Sequence, residues 1–327
     1  MRLTLLLPAL KRVGSASVVV QWLARGDGAD AIAPGRDAAL RACFATGAET
    51  LPTAALTRSL DARDADAPDA LWLRADPAFV MADAVTLRLL ACGHLGLSSE
   101  ETQALAQTLK PLFGDAGFAF DAPQSERWYL RCARGTTLPK FATPEEALGD
   151  DLADHLPEGE QARRWRGLLN EAQVVLTQHP LNASRTQRGK APVNSLWFWG
   201  AGVLPTQVRS EFDCVVSDDE VVTALARIAQ ISSIQRKLEF SPLLFDGLKL
   251  DSSLRWNDGQ ERERSLLIDL ADLRDICQLD ADWLMSIDEA LKRGRITQLE
   301  LRFESGERYV VKPAHRWRFW RRVKTPA

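Results

Sequence analysis

Apolar and polar positions along this chain switch repeatedly between a strand period and a helix period. The run LTLLLPAL near the N-terminus is continuously apolar and predicts a short buried strand, and SASVVVQWLARG predicts a helix stopped at Gly26. ALWLRADPAFVMAD alternates as a strand does, with Pro77 expected to close its regular part. SSEETQALAQTLKPLF reads as a helix capped by Ser98 or Ser99, with acidic residues in its first turn. RWYLRC predicts another strand. In EGEQARRWRGLLNEAQVVLTQ, residues Trp165, Leu168, Leu169, Ala172, Val175 and Leu176 fall on one helical face, and His179-Pro180 ends the element.

The later half repeats the alternation. FDCVVSDDEVVTALARIAQ predicts a strand, an acidic cap and a helix; SLLIDLADLRD and DADWLMSIDEALKRG follow, the second a helix stopped at Gly294. QLELRFESGERYVVKP predicts a hairpin turning at Ser305-Gly306. Strands alternating with helices point to an α/β fold with a mixed or mostly parallel sheet flanked by helices. The 327 residues fit a single α/β domain over 1–327, with a smaller α+β subdomain within about 70–200.

Composition narrows the function classes. A net charge of −3, with 26% charged and 46% hydrophobic residues, gives no overall attraction to nucleic acid. Nothing approaches the ~20 apolar residues of a membrane span, and the short N-terminal apolar run lacks a cleavage signal, so a cytoplasmic protein is expected. The five cysteines, Cys43, Cys92, Cys132, Cys214 and Cys277, are too scattered for a zinc knuckle or redox pair and predict reduced, mostly buried thiols. No Gly-x-Ser-x-Gly elbow occurs, so no nucleophilic triad is argued.

The densest candidate chemistry lies in HPLNASRTQRGKAPVNSLWFWGAGVLP, from His179 to Pro205. Arg185, Arg188 and Lys190 are close enough in sequence to converge on one anion, which suits phosphate binding. His179, Asn182 and Asn194 would orient such a ligand, or tie the connection down through bonds to the backbone. SLWFWG demands cover on both faces, and Gly200 and Gly202 would lie beyond a strand's carboxyl end, where open α/β sheets place ligands.

That segment, with LRADPAFVMAD and RWYLRC before it, resembles the archaeal-type cofactor-independent phosphoglycerate mutases of the alkaline-phosphatase superfamily. It resembles still more closely the bacterial RpfE-type regulatory proteins. The resemblance implies an alkaline-phosphatase-like core with an inserted smaller subdomain. For an active mutase it implies two divalent metals, Mn or Mg, held by Asp and His groups, one of them an Asp ending the first strand, and a Ser nucleophile. Here that strand ends in Leu6-Leu7-Pro8, and the four histidines, His94, His155, His179 and His315, are few and widely dispersed.

Where the family's nucleophile would fall the chain reads PGRDAAL, aligning Arg36 with the serine. An arginine accepts no phosphoryl group but can fill the vacated position with its own charge; otherwise Arg36 is a solvated loop residue. The expectation is therefore no catalytic residue, no metal and no cofactor, in a regulatory protein that binds a phosphorylated small molecule or a protein partner. An active mutase or phosphatase is the alternative, and a module acting through HRWRFWRRVK (315–324) a further one. Cations interleaved with aromatics suit nucleic acid or an anionic membrane. The sequence favours a packed last element over such contacts, with Trp317 or Trp320 buried against the hairpin.

Overall fold

The alternation of strand and helix periods resolves, in a computed structural model of the protein, into two compact units: Met1–Thr50 with Gln207–Ala327, and Leu51–Thr206. The structure describes residues 1–12, 18–62, 67, 69–83, 86–236, 263–273, 275, 279, 283–318, 320 and 321. The first unit opens with β1 (Arg2–Leu7), α1 (Val18–Arg25), β2 (Asp27–Ala29), α2 (Arg36–Arg41) and β3 (Phe44–Ala45). The second carries α3 (Thr53–Asp61), β4 (Leu71–Ala82), β5 (Leu87–Cys92), α4 (Ser99–Asp115), β6 (Ala119–Asp121) and β7 (Tyr129–Cys132). It continues with α5 (Pro144–Ala147), α6 (Leu152–His155), α7 (Ala162–Thr177), α8 (Pro180–Gln187) and β8 (Ser195–Val203). The chain returns to the first unit with β9 (Arg209–Ser210), β10 (Cys214–Val216), α9 (Glu220–Ile228), β11 (Ser232–Ile234) and β12 (Ser265–Asp269). It finishes with α10 (Met285–Lys292), β13 (Gln298–Phe303), β14 (Arg308–Val311) and a 3-10 turn, Pro313–Trp317.

The first unit is an α/β layer structure. Its seven strands run in the order β11-β10-β12-β1-β13-β14-β2. β11, β10, β12, β1 and β13 pair in parallel, whereas β14 and β2 add antiparallel pairings at one edge. Leu3, Leu5 and Leu7 of β1 share a core with Trp22 and Leu23 of α1 and Ile287 and Leu291 of α10. Thr4, Leu6, Val215 and Leu267, at the alternate positions, are buried too. A strand covered on both sides needs an unbroken apolar run, and LTLLL supplies it. Each fully buried leucine contributes about 1.5–3 kcal/mol.

The second unit is built on an antiparallel sheet, β5-β4-β7-β6 with β8 alongside β4. Trp197 and Phe198 of β8 fall into different apolar clusters, one with Val80 and Leu152, the other with Phe113, Leu130 and Trp165. Adjacent aromatics thus find cover on both sides of the strand, and Trp165, Leu168, Leu169, Ala172 and Leu176 line the buried face of α7.

Three expectations change. Pro77 does not end β4, which runs on to Ala82. On one side β4 pairs with β7 up to Arg74 and with β5 from Ala78 onward, and the Pro77 carbonyl accepts from Gly93 N at 2.8 Å on that side. Its nitrogen faces the same way, in the gap between the two neighbours, so no ladder bond is lost. Gly200 and Gly202 lie inside β8, in an antiparallel sheet, rather than beyond a parallel strand. A Cβ on Gly202 would stand 2.4 Å from Pro52 Cβ and one on Gly200 2.9 Å from Thr53 Cβ, so these glycines admit the start of α3 against the strand. Trp317 and Trp320 are 64% and 68% exposed rather than packed on the hairpin, because their neighbours in the turn are tied to Asp27.

Cys43, Cys132 and Cys214 are buried free thiols whose pKa burial pushes up to about 11, about 12 and about 12; Cys92 is a half-buried free thiol. Cys277, Phe319, Arg322 and Lys324 lie outside the described residues. Among the described residues no helix is long and apolar enough to cross a membrane.

Candidate functional site

The parallel strands of the first unit direct their carboxyl ends to one edge, the usual place for chemistry in an open α/β sheet. β1 contributes no acid there, ending in Leu7-Pro8, but its neighbours do. Asp269 is the last residue of β12, and Ser217, Asp218 and Asp219 follow β10 directly. Asp219 caps α9, its Oδ1 accepting from Val221 N at 2.7 Å.

Arg36 opens α2, and its guanidinium reaches these acids. Nη1 and Nη2 donate to the two Asp269 oxygens at 2.8 and 2.5 Å, and Nη2 donates to Asp219 Oδ2 at 2.6 Å. Ser217 Oγ donates to Asp269 Oδ2 at 2.8 Å. Arg236 extends the cluster by binding the Asp269 carbonyl at 2.8 Å and both Asp272 oxygens at 2.7 and 2.6 Å. The loop before Arg36 is held by the hairpin turn, Ile32 N donating to Gly306 O at 2.9 Å and Gly35 N to Glu304 O at 2.7 Å. Gly306 has φ +101°, and a Cβ there would meet Ile32 O at 2.4 Å, so this approach requires glycine.

Asp269 is almost fully buried. Burial alone would push its carboxyl up, but the Arg36 charge and the bonds from Arg36 and Ser217 outweigh it and hold the group below the usual carboxylate range. Burial works against the Arg36 charge in turn, and Asp269 and Asp219 more than compensate, raising its pKa. Asp269 and Asp219 offer the hard oxygens that a divalent cation takes, yet both are engaged by Arg36. Among the described residues no group of three or more His, Cys, Asp or Glu side chains is placed to hold a metal.

The second unit treats the sequence-predicted cluster differently. Arg185, fully buried, donates from Nη1 to Glu101 Oε2 at 2.6 Å, from Nη2 to Leu95 O at 2.6 Å and from Nε to Ala191 O at 3.0 Å. Arg188 Nη2 reaches Glu101 Oε1 at 3.3 Å, and Lys190 Nζ lies 3.5 Å from Gly96 O. The anion beside Arg185 and Arg188 is therefore the chain's own Glu101, which an external phosphate would have to displace. Burial would raise the Glu101 pKa, but the Ser98 N–H and the charges of Arg185 and Lys190 bring it below its ordinary value.

The orienting residues make backbone ties. His179 caps α8, its Nδ1 accepting from Leu181 N at 3.2 Å. Asn182 bonds Leu176 O, Val193 O and Val193 N at 2.7–2.8 Å. Asn194 takes both backbone groups of Val80, at 2.9 and 2.8 Å. Asp219, Asp269, Ser217 and Arg236 were not singled out from the sequence. Their signal is an acid directly after a short apolar strand, in CVVSDD and SLLIDLAD.

Comparison with known proteins gives a partial match. The similarity is to phosphoglycerate mutases. A probable 2,3-bisphosphoglycerate-independent phosphoglycerate mutase of Geobacter sulfurreducens is 32% identical over 115 residues, 35% of this chain and 28% of the relative. The corresponding Methanosarcina barkeri mutase is 32% identical over 116 residues, and the second such mutase of Methanothermobacter thermautotrophicus 38% over 115, covering 35% of the chain and 29% and 28% of those proteins. The chain thus matches less than a third of the length of these relatives, and no family model matches it. Among solved structures, a cofactor-independent phosphoglycerate mutase from Thermoplasma acidophilum aligns with 95% of this chain and 89% of its own, at 16% identity and a TM-score of 0.43. The PH0037 protein from Pyrococcus horikoshii aligns with 95% and 87%, at 13% identity and a TM-score of 0.46.

Proposed function

We propose that this is a phosphoglycerate-mutase-like protein of the RpfE-type regulatory kind, which binds a phosphorylated ligand or a protein partner in the cytoplasm and does not transfer phosphoryl groups. The observation that carries the reading is the fork of Arg36 on Asp269 and Asp219. Phosphoryl transfer on metal-binding carboxylates needs cations that neutralise the developing charge and an activated alkoxide. In this cluster both carboxylates are paired with one guanidinium, which has neither a coordination position nor a transferable oxygen. The hydroxyl bonded to Asp269, that of Ser217, is on a residue only 1% exposed, so a phosphoryl donor has no open path to it.

Incubation of the full chain with 3-phosphoglycerate and added Mn or Mg tests the proposal. The expected result is no 2-phosphoglycerate above background. Conversion that a chelator abolishes and that Asp269→Asn also abolishes would make the protein a working mutase instead.

A further inference from the structure

In a chain of net charge −3, residues 308–327 hold seven cations and no carboxylate. Part of that stretch is described in atomic detail. His315 N bonds Lys312 O, Arg318 N bonds His315 O and Arg321 N bonds Arg318 O, a succession of three-residue turns. The side chains of His315, Arg318 and Arg321 all reach Asp27 and so share one side. That side is clamped to the edge strand β2: Arg318 Nη1 donates to Asp27 Oδ1 at 2.5 Å and Arg25 O at 3.1 Å. Arg321 Nη1 donates to Gly26 O at 2.7 Å, and His315 Nε2 stands 3.4 Å from Asp27 Oδ2.

Trp317 and Trp320 belong to the same short stretch, and both are more than three-fifths exposed. Two large aromatics held outward on a clamped turn form a surface that scattered exposed side chains do not. The Arg316 guanidinium lies over the Trp317 ring, 4.9 Å from its centroid, and donates to Lys292 O at 3.1 Å. Asp27 offsets one charge of the Arg318 and Arg321 pair, so the turn keeps a positive excess.

We propose that this turn is a contact site for an anionic membrane surface, with Trp317 and Trp320 entering at the headgroup level and the surrounding arginines meeting lipid phosphates. Indoles favour that interface because one end is apolar and the other can hydrogen-bond, and surface cations add attraction to anionic lipid. Single-stranded nucleic acid is the less suited occupant. Base stacking uses open ring faces, and Arg316 already covers one face of Trp317.

Co-sedimentation of the full chain with vesicles of phosphatidylglycerol and phosphatidylcholine, against pure phosphatidylcholine, tests this. The chain should sediment with the anionic vesicles only, and added salt should release it. Arg316→Ala, which leaves both indoles, should weaken binding about fivefold, the effect of one surface cation. Trp317→Ala with Trp320→Ala should abolish sedimentation without lowering the melting temperature. Failure of the full chain to sediment with anionic vesicles overturns the proposal, and so does equal sedimentation of the double variant. Binding to single-stranded DNA, lost in the double variant and unaccompanied by vesicle binding, would assign the surface to nucleic acid.

Discussion

Arg36 in the first unit and Arg185 in the second both put a guanidinium on a buried carboxylate, and the surroundings of each make them different devices. Arg185 has no exposure and divides its donors between Glu101 and two backbone carbonyls, fastening α8 and the segment after it to α4 and the loop before that helix. Arg36 spends its donors on two carboxylates at the ends of neighbouring elements, and a quarter of its side chain remains open to solvent. One arginine closes an interior; the other bridges two carboxylates in a cluster that still holds more acids than cations. The contrast shows why a run of cations in sequence is weak evidence for a ligand site, whereas a lone arginine far from its acids in sequence can sit at the chemically richer edge.

Removing each arginine should separate them most clearly. Arg185→Ala takes from buried Glu101 its shortest charged bond and leaves two carbonyls without their donor, and breaking a buried pair of this kind costs about 3–5 kcal/mol. Arg36→Ala leaves Asp269 with the Ser217 hydroxyl and Asp219 with its helix N–H, and a loss of roughly 2–3 kcal/mol is expected. Urea unfolding of both variants at neutral pH measures the difference. Equal losses would mean that the partial exposure of Arg36 gives no relief.

How far the sequence foretold these features depends on the range of the interactions. Local period gave β1, the capped helix α4, the apolar face of α7 and the β13–β14 hairpin, since each depends on residues a few positions apart. β4 was harder to read because whether Pro77 can sit in a strand depends on which neighbour lies beside it, a property of the sheet. The same holds for Gly200 and Gly202, whose reason is a helix start contributed by Pro52 and Thr53. At the site, PGRDAAL drew attention to Arg36 only through resemblance. Its partners are 183 and 233 positions away, and an acid after an apolar run has no local signature that separates it from an ordinary helix cap. The cations of the 185–190 stretch were plain, but their partner Glu101 belongs to a capping box more than eighty residues earlier.

A pH series sharpens the comparison. Asp269 and Glu101 both have folded pKa values below their ordinary ones, so their stabilisation is complete above pH ~4 and is lost as the pH falls through the folded values. In Arg36→Ala the sign for Asp269 reverses: burial without the guanidinium raises its folded pKa, and the deficit then grows as the pH rises. Each unit of that raise is worth about 1.4 kcal/mol at neutral pH, so the gap between Arg36→Ala and the unaltered chain should begin to narrow as the pH falls from 7 to 5. Glu101 in Arg185→Ala keeps the Ser98 N–H and Arg188, so that gap should change less. Unfolding midpoints of the three proteins at both pH values provide the check, and parallel behaviour of the two variants would break the comparison.

The smallest expected effect concerns external anions. Were the 185–190 cations waiting for a ligand, inorganic phosphate at ~100 times its dissociation constant would add ~2.7 kcal/mol to stability. Glu101 already accepts from Arg185 at 2.6 Å and is within 3.3 Å of Arg188, and a phosphate arriving there must displace a carboxylate bonded to its own helix cap. Arg188 and Lys190 are exposed, and surface charges of this kind interact with an ion by less than about 1 kcal/mol. Phosphate should therefore raise the melting temperature little more than sulfate at equal ionic strength, and Arg188→Ala should leave the small shift nearly unchanged. A large, saturable shift specific to phosphate and lost in Arg188→Ala would show that the ligand does displace Glu101. The second unit would then hold the open charge cluster and the first the closed one, reversing the contrast between Arg36 and Arg185.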